Sequence, residues 1–295
     1  MGRFVIHTHQ RLQEWVAQEK GYYAQEGLDD YVLAPNDLGI DENDDRRTER
    51  GFEYGAYESY EKGRRAAVSC ACHWTVNMAA SAEHGMLWGE CYSVTPAAIF
   101  VPPESRITKA EQLAGVPVQV GYHSGSHYSA IQALEAVLPP ERINVVFGGP
   151  PDERLAAMLE RRAEAACVFG VQYYVLEQLG FRKLLDGTFM IAAMIAKDAA
   201  IDDVRRYFRA LRRAQVEIDL EHQRYVHYYL RELPERFHPL IDVRTFGPGE
   251  RLVFEPYTKE MYDRTHAWVE ARGLFDLDKI GKGTFEEAVL SGVPT

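Results

Sequence analysis

Two extended apolar segments, Ala97 to Val101 and Thr188 to Ala196, bracket a run in which short strands and helices alternate. That spacing limits the possible folds more than any other feature. Between the brackets, Val116 to Val120, Ile143 to Phe147 and Ala165 to Phe169 read as strands. Helices are expected near Tyr128 to Leu138, Asp152 to Arg162, and up to the stop at Gly180. Ahead of them, Phe4 to His9 reads as a strand, Leu12, Trp15 and Val16 as a helix stopped by Gly21, and Tyr31 to Ala34 as a second strand. Ala66 to Ala71 reads as a third, delivering Cys72 and His73 to its carboxyl end. Asp202 to Leu220 and Gln223 to Leu233 read as amphipathic helices, the first with Val204, Tyr207, Phe208 and Leu211 on one stripe. Asn36 to Gly51 is acidic and without periodicity, as in an exposed insertion. Alternating strands and helices with two extended crossings predict an α/β chain of two lobes on a two-stranded hinge. Residues 1–97 and 195–295 form one lobe, and residues 98–194 form the lobe inserted in it.

Charge and cysteine content narrow the partners. The excess of 44 acidic over 33 basic side chains gives a net charge of −11, a poor match for a phosphate backbone, so no nucleic-acid partner is expected. The 4 cysteines, Cys70, Cys72, Cys91 and Cys167, are too few and too irregularly spaced for a disulfide framework. The first residues lack the apolar run of a signal peptide, and no apolar run reaches the ~18 residues of a membrane span. A cytoplasmic setting is the expectation, or a periplasmic or cell-surface one if a leader has been removed.

Lys20-Gly21-Tyr22-Tyr23-Ala24-Gln25-Glu26-Gly27-Leu28 resembles a segment of the solute-binding proteins of sulfonate, nitrate and taurine transporters. Ser105 to Val118, with Ile107, Leu113 and Gly115, resembles that family's passage into its second lobe. The similarity runs in order from Phe4 to about Leu220. It implies a two-lobed type II periplasmic-binding-protein-like fold that closes by a hinge around a ligand in the interdomain cleft. It does not imply one activity, because the fold is shared by transporter-linked binding proteins, thiamine-pyrimidine synthase and, more distantly, aromatic-acid decarboxylases. The clustered cysteines of the synthase are not matched here, where Phe189-Met190-Ile191-Ala192 stands.

In such folds ligands sit outside the carboxyl ends of strands. Four segments are expected to converge there. His7, His9 and Gln10 end the first strand, and Cys72, His73 and Trp74 end the third. Tyr122, His123, Ser124, Gly125, Ser126 and His127 open a helix of the second lobe, and Gln172 and Tyr173 follow that lobe's last strand. The Gly121 to His127 turn is the most informative, because a helix N-terminus offers backbone N–H groups and a positive dipole end to an anion, with Ser124 and Ser126 as extra donors. An ordinary serine cap on a surface loop is the alternative. His9, His73, Cys72 and His127 are candidate catalytic groups for moving protons or, for the thiol, attacking a substrate. His7, His9 and His73 are candidate ligands for zinc or iron; alternatively one of the first pair packs beside the sheet, and Cys70 and Cys72 are small buried groups. Trp74, Tyr122 and Tyr173 are candidate aromatic walls.

Two functions follow. The first is an intracellular enzyme of lyase or decarboxylase type acting on a small carboxylate or aromatic acid. The second is a binding protein or sensor for a sulfonate-, nitrate-, taurine- or pyrimidine-like solute, partnered by a transporter permease.

Overall fold

The computed structural model describes residues 3–9, 11–34, 56–61, 66–275 and 279–291. The acidic insertion expected at Asn36 to Gly51 lies outside the described residues, as does Gln10. The strands are β1 Phe4–His7, β2 Tyr31–Ala34, β3 Val68–Cys72, β4 Met86–Trp88, β5 Tyr92–Thr95, β6 Ala97–Val101, β7 Val118–Val120, β8 Val145–Phe147, β9 Ala165–Phe169, β10 Arg182–Asp186, β11 Phe189–Ile195, β12 Arg251–Val253 and β13 Val289–Leu290. The helices are α1 Gln13–Glu19, α2 Tyr22–Gln25, α3 Ala56–Glu61, α4 His73–Ser81, α5 Gly125–Glu135, α6 Pro151–Leu159, α7 Val171–Gln178, α8 Ile201–Glu221, α9 Lys259–Ala271 and α10 Phe285–Ala288.

The strands form two sheets. One runs β12-β5-β11-β3-β1-β2, with β4 paired to β11 and β13 paired to β4; the other runs β10-β6-β9-β7-β8. Every strand of the second sheet comes from Ala97 to Asp186, whereas Phe189 to Ile195 already belongs to the first. The return crossing therefore falls at Gly187 and Thr188, earlier than the boundary at residue 194 expected from the apolar run. That run stays apolar to Ile195 because β11 lies between β3 on one side and β5 and β4 on the other, with six of its residues in the core. Such a strand reads as a continuous hydrophobic stretch.

Helix α8 carries its stripe as expected: Val204, Tyr207, Phe208, Leu211, Ala214 and Ile218 are all buried, facing α1 and α2. The helix expected over Gln223 to Leu233 is instead two 3₁₀ segments, His222–Arg224 and Val226–Arg231. Val226 and Tyr229, three apart, share a buried face there, a spacing that 3₁₀ geometry aligns. β-branched and aromatic residues in this stretch also lose side-chain freedom in an α-helix. No described helix is long and apolar enough to cross a membrane.

The register places the site. β1 and β3 run parallel, and β11 starts beside the end of β3, with Ile191 opposite Cys72. β5 ends beside that same point, with Thr95 opposite Phe189. In the second sheet β7 and β9 run parallel, and β6 starts opposite the end of β9, Ala97 against Phe169. Both crossings thus leave the first sheet at the carboxyl ends of β1 and β3 and enter the second at the carboxyl ends of β7 and β9. These ends face each other.

Candidate functional site: facing strand ends of two lobes

On the first lobe, β1 delivers His9, whose Nδ1 lies 2.6 Å from Glu250 Oε2. Glu250 also accepts from Arg11 Nη1 at 2.8 Å and Ser93 Oγ at 2.5 Å. Burial alone would raise the Glu250 pKa, but the His9 ring and the Arg11 guanidinium outweigh it and hold the carboxyl down at about 2. An ionised carboxylate only accepts, so the proton between the pair sits on His9 Nδ1 and Nε2 faces away from it. Arg11 is paired a second time by Glu14, to which Tyr207 also donates at 2.8 Å. Nearby, Trp15 Nε1 donates to Glu232, whose carboxyl burial pushes up to about 7.

β3 delivers Cys72 as the N-cap of α4, followed by His73 and Trp74 in its first turn. Cys72 Sγ lies 3.1 Å from Thr75 Oγ1, and burial pushes the thiol up to about 11. It stays protonated at neutral pH beside a hydroxyl, so the expectation of an imidazole-activated nucleophile is not met. His73 Nδ1 donates to the Met190 carbonyl at 3.0 Å, and burial brings the ring down to about 4. Its neutral ring, Trp74, Thr188, Phe189, Met190 and Trp268 line a cavity of about 550 Å³ beside the hinge, to which the inserted lobe contributes Gln132. The volume suits a small ligand. His7 is buried at the end of β1. Among the described residues no three His, Cys, Asp or Glu side chains gather to hold a metal. His7, His9 and His73, the set expected for zinc or iron, are therefore not brought together as one cluster.

On the second lobe, the turn after β7 opens α5 earlier than the sequence suggests, at Gly125. Ser124 is its N-cap residue, but its hydroxyl lies 2.6 Å from the Gly121 carbonyl and makes no bond to the first helical N–H groups. Ser126 Oγ, 2.9 Å from Ser124 Oγ, accepts from Gly121 N. His123 holds the left-handed backbone, φ 48°, its ring 3.1 Å from Tyr128 OH and its N–H donating to His127 Nδ1. Burial lowers His123 to about 3 and His127 to about 4. Thr75 Oγ1 donates to the His123 carbonyl, tying the lobes together. Tyr122 lies at the rim against Phe147 and His127.

Gln172, in the first turn of α7 after Gly170, is 1% exposed, and its Oε1 has no hydrogen-bond partner. Tyr173 turns out of the cleft: it packs on Phe100, and its hydroxyl accepts from Lys183 Nζ at 2.7 Å. Successive helix residues point about 100° apart, so Tyr174 reaches the first lobe instead, stacked on Phe246 and accepting from Gly249 N. Arg11, Glu14, Ser93 and Glu250 were not legible as site residues.

The buried imidazoles make a pH prediction. His73, His123 and His127 stay neutral in the fold down to about pH 3–4, whereas an unfolded histidine gains its proton near 6.5. Below that point the unfolded chain binds more protons, so stability falls on acidification from about pH 6.5 towards 4, by up to about 1.4 kcal/mol per pH unit per ring. His84 and His266 shift in the same direction. Glu232 opposes, since its folded pKa of about 7 favours the fold below that pH, but it is one group against these. Urea midpoints at pH 7 and pH 5 test this, and a higher midpoint at pH 5 would refute it.

No family model and no curated protein sequence matches the chain. Solved structures do. The alkanesulfonate-binding protein SsuA from Xanthomonas axonopodis pv. citri bound to MOPS aligns over 98% of both chains at 15% identity and TM-score 0.71. A Candida albicans gene product described as exhibiting the generic periplasmic binding protein structural fold aligns over 98% of this chain and 96% of its own, at 13% identity and TM-score 0.65. This chain has the periplasmic-binding-protein fold. The desulfurization enzyme DSZB also aligns, over 97% of both chains at 13% identity and TM-score 0.62. The periplasmic-binding-protein fold thus carries a ligand-binding protein and an enzyme among these neighbours, and the site has to decide between them.

Proposed function

We propose that this chain binds a small anionic solute of sulfonate or carboxylate type between its lobes, as the substrate-binding component of an ABC-type importer. The observation that carries this is the convergence of three helix N-termini, those of α4, α5 and α7, at the facing strand ends. None of the three is capped by a side-chain hydrogen bond. Beside the α7 terminus the buried Gln172 amide has an oxygen that nothing in the protein satisfies. Helix N-termini favour anions, and a buried polar atom without a partner costs free energy until a ligand or water meets it. SsuA bound to MOPS, on the same fold, supports a sulfonate as the first class to try.

Titration calorimetry in a sulfonate-free buffer tests the reading with short alkanesulfonates and short carboxylates. At least one class is expected to bind near micromolar, so that ligand at about 100 Kd adds about 2.7 kcal/mol to the fold. Gln172→Leu should weaken it about tenfold. Binding of neither class below about millimolar would refute the reading.

The His9 and Glu250 pair favours a second reading, an enzyme of lyase type, since a carboxylate that fixes an imidazole's tautomer is an acid/base arrangement. The same samples separate the two. Ligand recovered with unchanged mass supports binding alone, and loss of carbon dioxide or sulfite supports the lyase.

A further inference from the structure

Two guanidinium groups are buried to the same degree, Arg11 and Arg154, each 1% exposed. They differ in their partners. Arg11 meets two carboxylates, Glu14 and Glu250. Arg154, on α6, meets only backbone: Nε donates to the Cys167 carbonyl at 3.2 Å and Nη1 to the Gly149 carbonyl at 2.6 Å. Its Nη2 has no hydrogen-bond partner, and among the described residues no carboxylate is in ion-pair contact with it, those of Asp152 and Glu153 acting on it only from farther off. Burial lowers its pKa only to about 10, so it is charged at neutral pH. A buried unpaired charge is costly.

Its place gives the reason. A Cβ added at Gly121 would lie 2.9 Å from Arg154 Nη1 and 3.2 Å from Ser124 Oγ. The guanidinium therefore sits directly behind the turn that opens α5. Charge at that depth acts through little intervening solvent and adds to the helix terminus in front of it.

From this juxtaposition we infer that Arg154 is the fixed positive charge of the cleft, and that its missing countercharge is the oxyanion of the ligand held at the Gly121 to Ser126 turn. This rests on the anion-binding reading above and deepens it: Arg154 is a specificity-determining residue that selects charged over neutral ligands from behind the turn, without contact with the bound group.

The test uses the full chain and ethanesulfonate. Gln119 supplies a variant that leaves Arg154 in place, because a Cβ at Gly148 would lie 2.8 Å from Gln119 Oε1 and 3.1 Å from Arg154 Cγ, so the two side chains share one side of that glycine. The Gln119 oxygen is itself without a partner. Gln119→Glu gives Arg154 a carboxylate inside the protein. It is expected to melt no lower than the parent yet bind ethanesulfonate about tenfold more weakly, and Arg154→Gln should weaken it at least as much. Arg154→Lys, which keeps the charge, should stay within about threefold. Parental affinity in a folded Gln119→Glu protein would overturn the inference, and so would Arg154→Lys losing as much affinity as Arg154→Gln. Failure of the unaltered chain to bind ethanesulfonate or any other short sulfonate or carboxylate marks instead the failure of the anion-binding reading.

Discussion

Glu250→Ala is expected to lower the folding free energy by about 3–5 kcal/mol, a large fraction of the roughly 5–15 kcal/mol that holds most domains together. Three donors converge on this carboxylate, from His9, Arg11 and Ser93, and all are buried with it. Removing it leaves the Arg11 guanidinium with Glu14 as its one carboxylate partner and takes the acceptor from the His9 Nδ1 proton. The cost is mainly that of stranding the partners. Glu250→Gln separates the two parts of the argument. Its amide oxygen keeps the Arg11 and Ser93 bonds, and its NH₂ then faces His9 Nδ1. Two donors cannot share that position, so the imidazole proton must move to Nε2. The expected stability loss is smaller than for alanine, while ring ¹⁵N shifts report the exchanged tautomer. Urea denaturation of both variants gives the comparison, and a loss under about 1 kcal/mol for Glu250→Ala would show that the network is not what holds this end of β1.

Those residues also show why half of the site was hidden in the sequence. His9 and Glu250 are 241 positions apart, and no local pattern links them. Ser93 belongs to a four-residue strand of mixed burial that is held by pairing to β11 and β12, so its own sequence announces neither strand nor site. What was legible had a local cause. β6 reads as Ala-Ala-Ile-Phe-Val because all five residues are buried in a central strand, and α8 reads from its stripe. Gln172 and the Gly121 to Ser126 turn were legible as candidates because strand-to-helix junctions lie at the cleft in any such topology. Tyr173 was misplaced by one position, which on a helix is enough to turn a side chain to another face. Direction around a helix is a tertiary property, set here by Phe100 and Lys183.

Gly125→Val is expected to abolish lobe closure while leaving the protein folded. A Cβ at Gly125 would lie 2.1 Å from Phe189 Cζ and 2.3 Å from Cε2, well inside any real contact. The ring cannot step aside, since it is buried and packed against Trp74 and Phe169, with centroids at 5.9 Å and 5.5 Å. Gly125 opens α5 in the inserted lobe and Phe189 opens β11 in the other, so their contact exists only when the lobes are together. Rotation about the crossings at Pro96 and Gly187 relieves the clash, and the variant is therefore held open. Ligand affinity should fall by more than about tenfold, because the helix termini no longer face one another. Small-angle scattering should show a larger radius of gyration for the variant and no compaction on adding ligand. Gly187→Ala is the control: it lies in the crossing itself, but its added Cβ meets Ser129 Oγ at an ordinary 3.5 Å, so closure and affinity should be retained. Normal ligand-induced compaction in Gly125→Val, or equal loss in Gly187→Ala, would show that close approach at Gly125 is not what closure requires.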